Sequence, residues 1–184
     1  SPILLSDGFC GECGLALETG KGPASKREKT ASERKYITVL FADISGYTAF
    51  LTKAELEHAQ EILTDLLETI LDGFKSLLTI HKIEGDAVFA YARDAQLLRG
   101  ETLLELIEST YGAFRQRTKN VRRHTTCGCR ACNSVSMLDL KFIVHHGDFA
   151  LQNVGGRPEL AGTDVNLAHR LLKNHVGEQT GWSA

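Results

Sequence analysis

The sequence has 184 residues, of which 42% are hydrophobic and 24% charged, with a formal net charge of −2. This balance is typical of one soluble domain with short attachments, and it gives no general attraction to nucleic acid or to anionic membranes. No apolar run approaches the roughly 18–20 residues of a membrane span, and no secretory signal pattern is present. The five cysteines form two tight clusters, which favours metal ligation or redox chemistry over a disulfide framework and predicts a reducing, cytoplasmic location.

The N-terminal part is predicted to lie outside the main domain. Residues 1–17 form a short knuckle around Cys10 and Cys13, and residues 18–35 lack aromatic and large apolar side chains, which is typical of a flexible linker. Because the sequence starts at Ser1 rather than Met, we expect the natural start to lie upstream.

The main domain is expected to span 36–184 and to start with a buried strand. Residues 37–42 are β-branched and apolar, and Ser45–Thr48 read as a turn into a short helix. Thr52 and Glu55 have the spacing of a capping box, so a longer amphipathic helix is predicted to start there.

The later elements alternate between strands and helices. First come a hairpin of 80–84 and 87–92 turning at Gly85-Asp86, an amphipathic helix at 101–118 and a basic cysteine-bearing insertion at 119–136. They are followed by a strand at 138–144 with a partner near 149–153, and by a helix capped by Thr163 or Asp164 that ends at Leu172. This order predicts a mixed α+β or α/β fold with an antiparallel-rich sheet.

Two aspartates lie where strands end in turns. Asp43 follows the first strand and Asp86 lies at the tip of the hairpin, each among residues that should be buried. An acid in such a place is costly unless a positive group neutralises it, so we expect one shared cation site, chiefly for Mg²⁺. The alternative is that both are ordinary turn or capping residues.

Three segments together resemble the catalytic domain of class III nucleotidyl cyclases. They are residues 39–48, 82–87 and 162–171, and they occur in the expected order along residues 36–175. The resemblance implies an α+β sandwich, with a ferredoxin-like cyclase core whose mixed, mostly antiparallel sheet is packed by helices. It also implies a homodimer that converts ATP to cyclic AMP and pyrophosphate.

The same resemblance implies metal and phosphate ligands. Asp43, Asp86 and the backbone carbonyl of Ile44 would hold two Mg²⁺ or Mn²⁺ ions per site. Backbone N–H groups of the following turn would contact the triphosphate, which suits a glycine-containing turn that opens a helix. That turn comprises Ile44, Ser45, Gly46, Tyr47 and Thr48.

Four further residues match the family positions that bind the base, ribose and α-phosphate. Lys82 implies adenine selection, and Glu159 would accept from the 6-amino group, although Asp or Thr is the more usual residue there. Asn166 would orient the ribose, and Arg170 would stabilise charge on the α-phosphate. In the family these four come from one subunit and the aspartates from the other. Taken singly, Lys82 could be an exposed strand-edge lysine, and Asn166 and Arg170 exposed helix residues.

The cysteines leave two interpretations open. Cys127, Cys129 and Cys132 can bind Zn²⁺ if a fourth ligand is present, for which His124 is nearest in sequence, followed by His145 or His146; otherwise they are free thiols on a loop. This segment, with 140–147 and 169–174, resembles an uncharacterised family of bacterial cyclase-like proteins. Cys10 and Cys13 resemble the second knuckle of a zinc ribbon, another zinc candidate.

The cyclase family continues past the last helix into strands that carry a basic, triphosphate-contacting residue. The present sequence ends at Ala184, so we expect that contact to lie outside it. Two other functions remain open: an inactive cyclase-like domain that binds nucleotide or only dimerises, and a zinc-responsive sensor.

Overall fold

The computed structural model describes residues 33–93, 100–124 and 126–173. The predicted N-terminal knuckle and residues 18–32 of the predicted linker lie outside this range. The elements are β1 (Glu33–Ser45), α1 (Tyr47–Leu51), α2 (Leu56–Phe74), β2 (Thr79–Glu84), β3 (Ala87–Arg93), α3 (Gly100–His124), α4 (Arg130–Ser134), a 3-10 turn (Val135–Met137), β4 (Asp139–Val154), β5 (Arg157–Ala161) and α5 (Thr163–Leu172).

The described strands form one five-stranded sheet in the order β2-β3-β1-β4-β5, and all four neighbouring pairs are antiparallel. β1 is central because residues 39–42 are fully buried, so this strand is apolar on both faces. The predicted α+β fold with an antiparallel-rich sheet is confirmed, as is the hairpin that turns at Gly85-Asp86.

Side-chain alternation along β1 separates two cores. Leu40, Ala42 and Ile44 pack with α2, α3 and the segment around α4, whereas Val39 and Phe41 belong to a second core with α5. The helices therefore cover both faces of the sheet. In the described ranges, no helix is both long and apolar enough to cross a membrane.

Two predicted boundaries were wrong near β1 and α2. The strand begins at Glu33, so residues 33–35 belong to the sheet and not to the linker. Thr52 does not cap α2: it ends α1, and its hydroxyl donates to the carbonyl of Ala49 at 2.9 Å. The N-cap of α2 is Glu55.

The predicted insertion at 119–136 is largely ordered structure. α3 runs to His124, because the polar residues after 118 are still compatible with a helix. The rest contains α4, where Ala131 and Cys132 are buried, and Val135 in the 3-10 turn is fully buried as well. The segment is therefore part of the first core.

β4 is one strand of 16 residues, so the prediction that residues near 149–153 form a separate partner of the strand at 138–144 was wrong. The partner of its far end is β5, with Ala150 opposite Ala161. Gly147 has a packing role here: a Cβ atom at this position would lie 2.4 Å from the Oδ2 atom of Asp164 on α5. The glycine thus marks a close approach of helix to strand.

α5 ends at Leu172 as predicted, but neither Thr163 nor Asp164 caps it. Its N-cap is Gly162, and the Asp164 carboxylate instead accepts a hydrogen bond from the backbone N–H of Asp148 at 2.8 Å. Asp164 Oδ1 also lies 3.2 Å from Nε2 of His145. These contacts fix the start of α5 against β4.

Candidate active site

The structure brings Asp43 and Asp86 to the same end of the sheet. Asp43 pairs with Ala87 across β1 and β3, and the N–H of Ile44 donates to the carbonyl of Asp86 at 3.2 Å. Burial is the main reason why the pKa of Asp86 is raised, and the negative charge of Asp43 raises it further, against the opposing effects of a backbone hydrogen bond and Lys141. The two acids, here called the carboxylate site, therefore interact electrostatically.

Lys141 is a third charged group at this site, and the sequence did not single it out. It lies opposite Asp43 in the β1–β4 register, with Nζ 3.2 Å from Oδ2 of Asp43. The same ammonium donates to the carbonyl of Leu172 at 2.8 Å, at the end of α5. Only the strand register reveals this pairing, since the two residues are far apart in the chain.

The donor set fits a hard divalent cation. Carboxylate oxygens are the ligands that Mg²⁺ and Mn²⁺ prefer. Burial first, and then the charge of Asp43, raise the pKa of Asp86, so a cation placed between the two acids would stabilise their ionised forms. Lys141 supplies part of that positive charge to Asp43.

The turn after β1 packs closely against the backbone of Met137. Gly46 has φ +86°, which favours glycine, and a Cβ there would lie 3.1 Å from the carbonyl oxygen of Met137. Tyr47 begins α1; the pKa of Tyr47 is raised by burial and by the charge of Asp86, so this turn adjoins the carboxylate site. Ile44 is buried, Ser45 half-buried and Thr48 exposed.

Lys82 and His81 share one face of the sheet because β2 contains a bulge between Ile80 and Lys82. Lys82 lies opposite Phe89, and the His81 ring lies 5.0 Å from the Phe89 ring. The Lys82 ammonium is paired with Glu84 at 2.7 Å. Simple strand alternation would have placed the two side chains on opposite faces.

Glu159 is next to His81, with Oε2 3.4 Å from Nε2 of the histidine. Neighbouring strands are about 4.8 Å apart, so a flat sheet would separate β2 from β5 by roughly 19 Å. The sheet must therefore curl to bring these edge strands together. Burial lowers the pKa of His81, although Glu159 acts in the opposite direction, so the neutral imidazole is favoured.

Asn166 and Arg170 are both exposed on α5, where the i, i+4 spacing puts them on one side of the helix. Leu167 beside them is also exposed, at 42%. The opposite side of α5 packs on the sheet through Val165 and Ala168. These side chains therefore point away from the chain's own core, whereas Asp43 and Asp86 are partly buried.

The three C-terminal cysteines meet a histidine that the sequence did not predict as their partner. Sγ of Cys129 lies 3.1 Å from Nδ1 of His58, and Sγ of Cys127 lies 3.6 Å from the same atom. The hydrogen bond with His58 is the main cause that lowers the pKa of the Cys129 thiol to about 7. With Cys132, these residues are here called the Cys–His cluster.

The predicted fourth zinc ligands do not take part in this cluster as far as the side chains are described. His145 lies beside Asp164, and His146 hydrogen-bonds Thr38. The side chain of His124, and Cys10 and Cys13, lie outside the described part.

Several solved structures that match this fold are nucleotidyl cyclases. A bacterial light-regulated adenylyl cyclase matches with a TM-score of 0.61 and 17% identity, over 82% of this chain and 42% of that one. The guanylyl cyclase Cya2 has a TM-score of 0.61 and 18% identity, over 76% and 70%. The adenylyl cyclase CyaB from P. aeruginosa has a TM-score of 0.58 and 24% identity, over 77% and 73%. The domain therefore has the fold of adenylyl and guanylyl cyclase catalytic domains.

Within that fold the chain belongs to the family described as "Protein of unknown function (DUF2652)", which matches residues 63–180. It is 35% identical over 117 residues to the uncharacterized protein Rv2561/Rv2562 of Mycobacterium tuberculosis (strain ATCC 25618 / H37Rv), covering 62% of this chain and 52% of that protein. It is also 28% identical over 82 residues to a cytidylate cyclase of Staphylococcus aureus, covering 44% and 19%. The chain thus spans about half of the first relative and about a fifth of the second, by the 52% and 19% coverage.

Proposed function

We propose that this domain is a nucleotidyl cyclase that converts ATP to cyclic AMP and pyrophosphate as a homodimer. The observation that carries the proposal is that Asp43 and Asp86 lie at the same end of a cyclase-type sheet, beside the turn at Gly46. In the reaction a bond forms between the 3′-oxygen and the α-phosphorus, the bond from the α-phosphorus to the pyrophosphate oxygen breaks, and the hydroxyl proton passes to solvent.

Asp43, Asp86 and the carbonyl of Ile44 would hold Mg²⁺ or Mn²⁺, two per site. When bound, these ions would supply Lewis-acid polarisation of the attacking hydroxyl and charge neutralisation at the triphosphate. In the turn from Ile44 to Thr48, the N–H groups at the start of α1 would contact phosphate oxygens, because the first N–H groups of a helix lack intrahelical partners. The N–H of Ile44 already donates to the carbonyl of Asp86.

Lys82 and Glu159 would recognise adenine. An ammonium can donate to a ring nitrogen and a carboxylate can accept from the 6-amino group, and both residues adjoin His81 on one face of the curled sheet. Binding of the base would have to break the contact of Lys82 with Glu84 and that of Glu159 with His81. Without nucleotide, these two contacts hold the side chains of the pocket in place.

The exposed positions of Asn166 and Arg170 support a site shared between two chains. Asn166 would orient the ribose and Arg170, which is always charged, would stabilise the transferring α-phosphate. Exposed Leu167 adds apolar surface beside them for contact with a second copy. One subunit would then supply Asp43 and Asp86, and the other Lys82, Glu159, Asn166 and Arg170.

The likeness to a cytidylate cyclase favours CTP as a second candidate substrate. The test is to incubate the full chain with ATP, GTP or CTP and Mn²⁺ or Mg²⁺, and to identify products by mass spectrometry. We expect cyclic AMP from ATP, and cyclic CMP as the main product would replace the adenine assignment.

The matched variants in that test are Asp43→Asn and Asp72→Asn. Asp43→Asn should lower the rate at least about 100-fold, because a metal-binding carboxylate is lost. Asp72 is an exposed acid on α2, paired with Lys75, and its replacement should leave the rate unchanged. A wild-type rate in Asp43→Asn would overturn the proposal, and ATP binding without any turnover would favour an inactive nucleotide-binding domain.

A further inference from the structure

The Cys–His cluster combines four ligand atoms in the arrangement of a closed metal site. The side-chain ligand atoms of His58, Cys127, Cys129 and Cys132 all lie within 4.8 Å of one another. Zinc bonds of about 2.3 Å to sulfur and about 2.0 Å to nitrogen put tetrahedral ligand atoms roughly 3.5–3.8 Å apart. The two measured contacts to His58, at 3.1 and 3.6 Å, are close to that spacing.

The cluster joins two parts of the chain that are about 70 residues apart in sequence. The cysteines come from the segment 127–132, and His58 comes from the first turns of α2. One helical turn before His58, the carboxylate of Glu55 accepts from the backbone N–H of Ala131 at 3.2 Å. The start of α2 therefore holds the cysteine segment through a second, independent contact.

The local backbone also suits a thiolate ligand. Cys129 is the N-cap of α4, and its sulfur accepts from the N–H of Cys132 at 3.4 Å. Such N–H···S contacts stabilise a negative sulfur, which is the form that binds metal. Three thiolates and one imidazole are soft and borderline ligands, which select Zn²⁺ over Mg²⁺ or Ca²⁺.

We propose that His58, Cys127, Cys129 and Cys132 bind one Zn²⁺ ion in a closed, structural site. All four tetrahedral positions are filled by protein atoms, so the ion has no open position for substrate, unlike a catalytic zinc. Its role is to fasten the segment between α3 and β4 to the start of α2. This assignment does not depend on cyclase activity, and it replaces His124, His145 and His146 as fourth-ligand candidates.

The site has a structural consequence beyond its own residues. The cysteine segment leads through α4 into the 3-10 turn, where the carbonyl of Met137 lies against Gly46. The segment that the zinc ion would hold thus packs against the turn that follows β1.

The experiment measures zinc content in the full chain carrying Cys10→Ser and Cys13→Ser, so that the N-terminal pair contributes no metal. After purification without chelator, mass spectrometry of metals should find about one zinc per chain. Adding Cys129→Ser or His58→Ala should lower that content to a small fraction of one. His146→Gln, an exposed histidine outside the cluster, should leave it unchanged.

Two further measurements on the parent protein do not require the variants to fold. Exchange with Co²⁺ should give the intense visible absorption of tetrahedral thiolate coordination, and a strong chelator should lower Tm by about 5 °C or more. Unchanged zinc content in both folded ligand variants would overturn the proposal. So would a protein that takes up neither Zn²⁺ nor Co²⁺, or a disulfide among these cysteines after purification under reducing conditions.

Discussion

The Cys–His cluster and the carboxylate site differ in how complete they are within one chain. The cluster has four ligands from α2 and the α4 segment, all within 4.8 Å. At the carboxylate site Asp43 and Asp86 are partly buried, whereas Asn166 and Arg170, which the proposed function also requires, are exposed on α5. The contrast teaches that a structural site can be judged from a single chain, but a site divided between copies shows only those parts that one copy contributes.

The largest test of this contrast is complementation between two inactive variants. Asp86→Asn removes a carboxylate from one half of the proposed site, and Arg170→Ala removes a cation from the other half, so each homodimer should be nearly inactive. Random mixing makes about half of the dimers heterodimers with one intact site of two, so activity should return to about a quarter of wild type. Rates are measured on co-refolded mixtures and on each variant alone.

Mixed dimers confirmed by native mass spectrometry that stay at the background rate would contradict the shared site. A wild-type protein that is monomeric and fully active would do the same.

A smaller effect is expected where α5 approaches β4. Gly147→Ala introduces a Cβ only 2.4 Å from Asp164 Oδ2, so α5 must shift and the bond from the Asp148 N–H is strained. We expect a loss of about 1–3 kcal/mol in the free energy of unfolding, measured by urea denaturation.

The matched control is Gly112→Ala, at an exposed position within α3 with nothing within 4 Å of the added Cβ. It should stabilise by about 0.5–1 kcal/mol, since alanine is the better helix former. The same chemical change is therefore predicted to have opposite signs at the two positions. Destabilisation by both variants would contradict the close contact of Gly147 with Asp164 as the specific cause.

The smallest effect concerns His81, which faces Glu159 and lies beside Lys82 and Glu84. Burial lowers the pKa of His81 in the folded state, so its neutral form is favoured there. The unfolded chain therefore takes up the proton first: stability is full above about pH 6.5 and falls as the pH drops below that value. His81→Gln should flatten this part of the pH–stability profile, measured by denaturation between about pH 5 and pH 8.

The exposed His146→Gln variant serves as the comparison and should leave that slope in place. An unchanged slope in His81→Gln would show that other groups cause it.

Short-range patterns in the sequence predicted most of the elements, but not the long-range contacts of the site. Helical periodicity and the β-branched run located α2 and β1, because these signals depend on neighbours within a few residues. The packing role of Gly147 was missed, because its close approach to α5 depends on the fold and not on neighbours in sequence. His58 and Lys141 were missed for the same reason, since their partners are distant in sequence.

The bulge in β2 shows another limit. Strand periodicity assigns His81 and Lys82 to opposite faces, whereas one extra residue places both on the face that holds Phe89. Nothing in the composition of residues 79–84 marks that extra residue. The sequence therefore singled out Glu159 as a candidate site residue but could not predict its contact with His81.

Lys141 connects the carboxylate site with the end of α5. One ammonium holds the Asp43 carboxylate and the last turn of α5 at the same time. A cation that competes for Asp43 must weaken that tether, and a movement of the helix end must in turn alter the charge felt by Asp43. If the proposed cation binds at Asp43, its occupancy and the position of the helix bearing Asn166 and Arg170 would be thermodynamically linked, by the same amount in both directions.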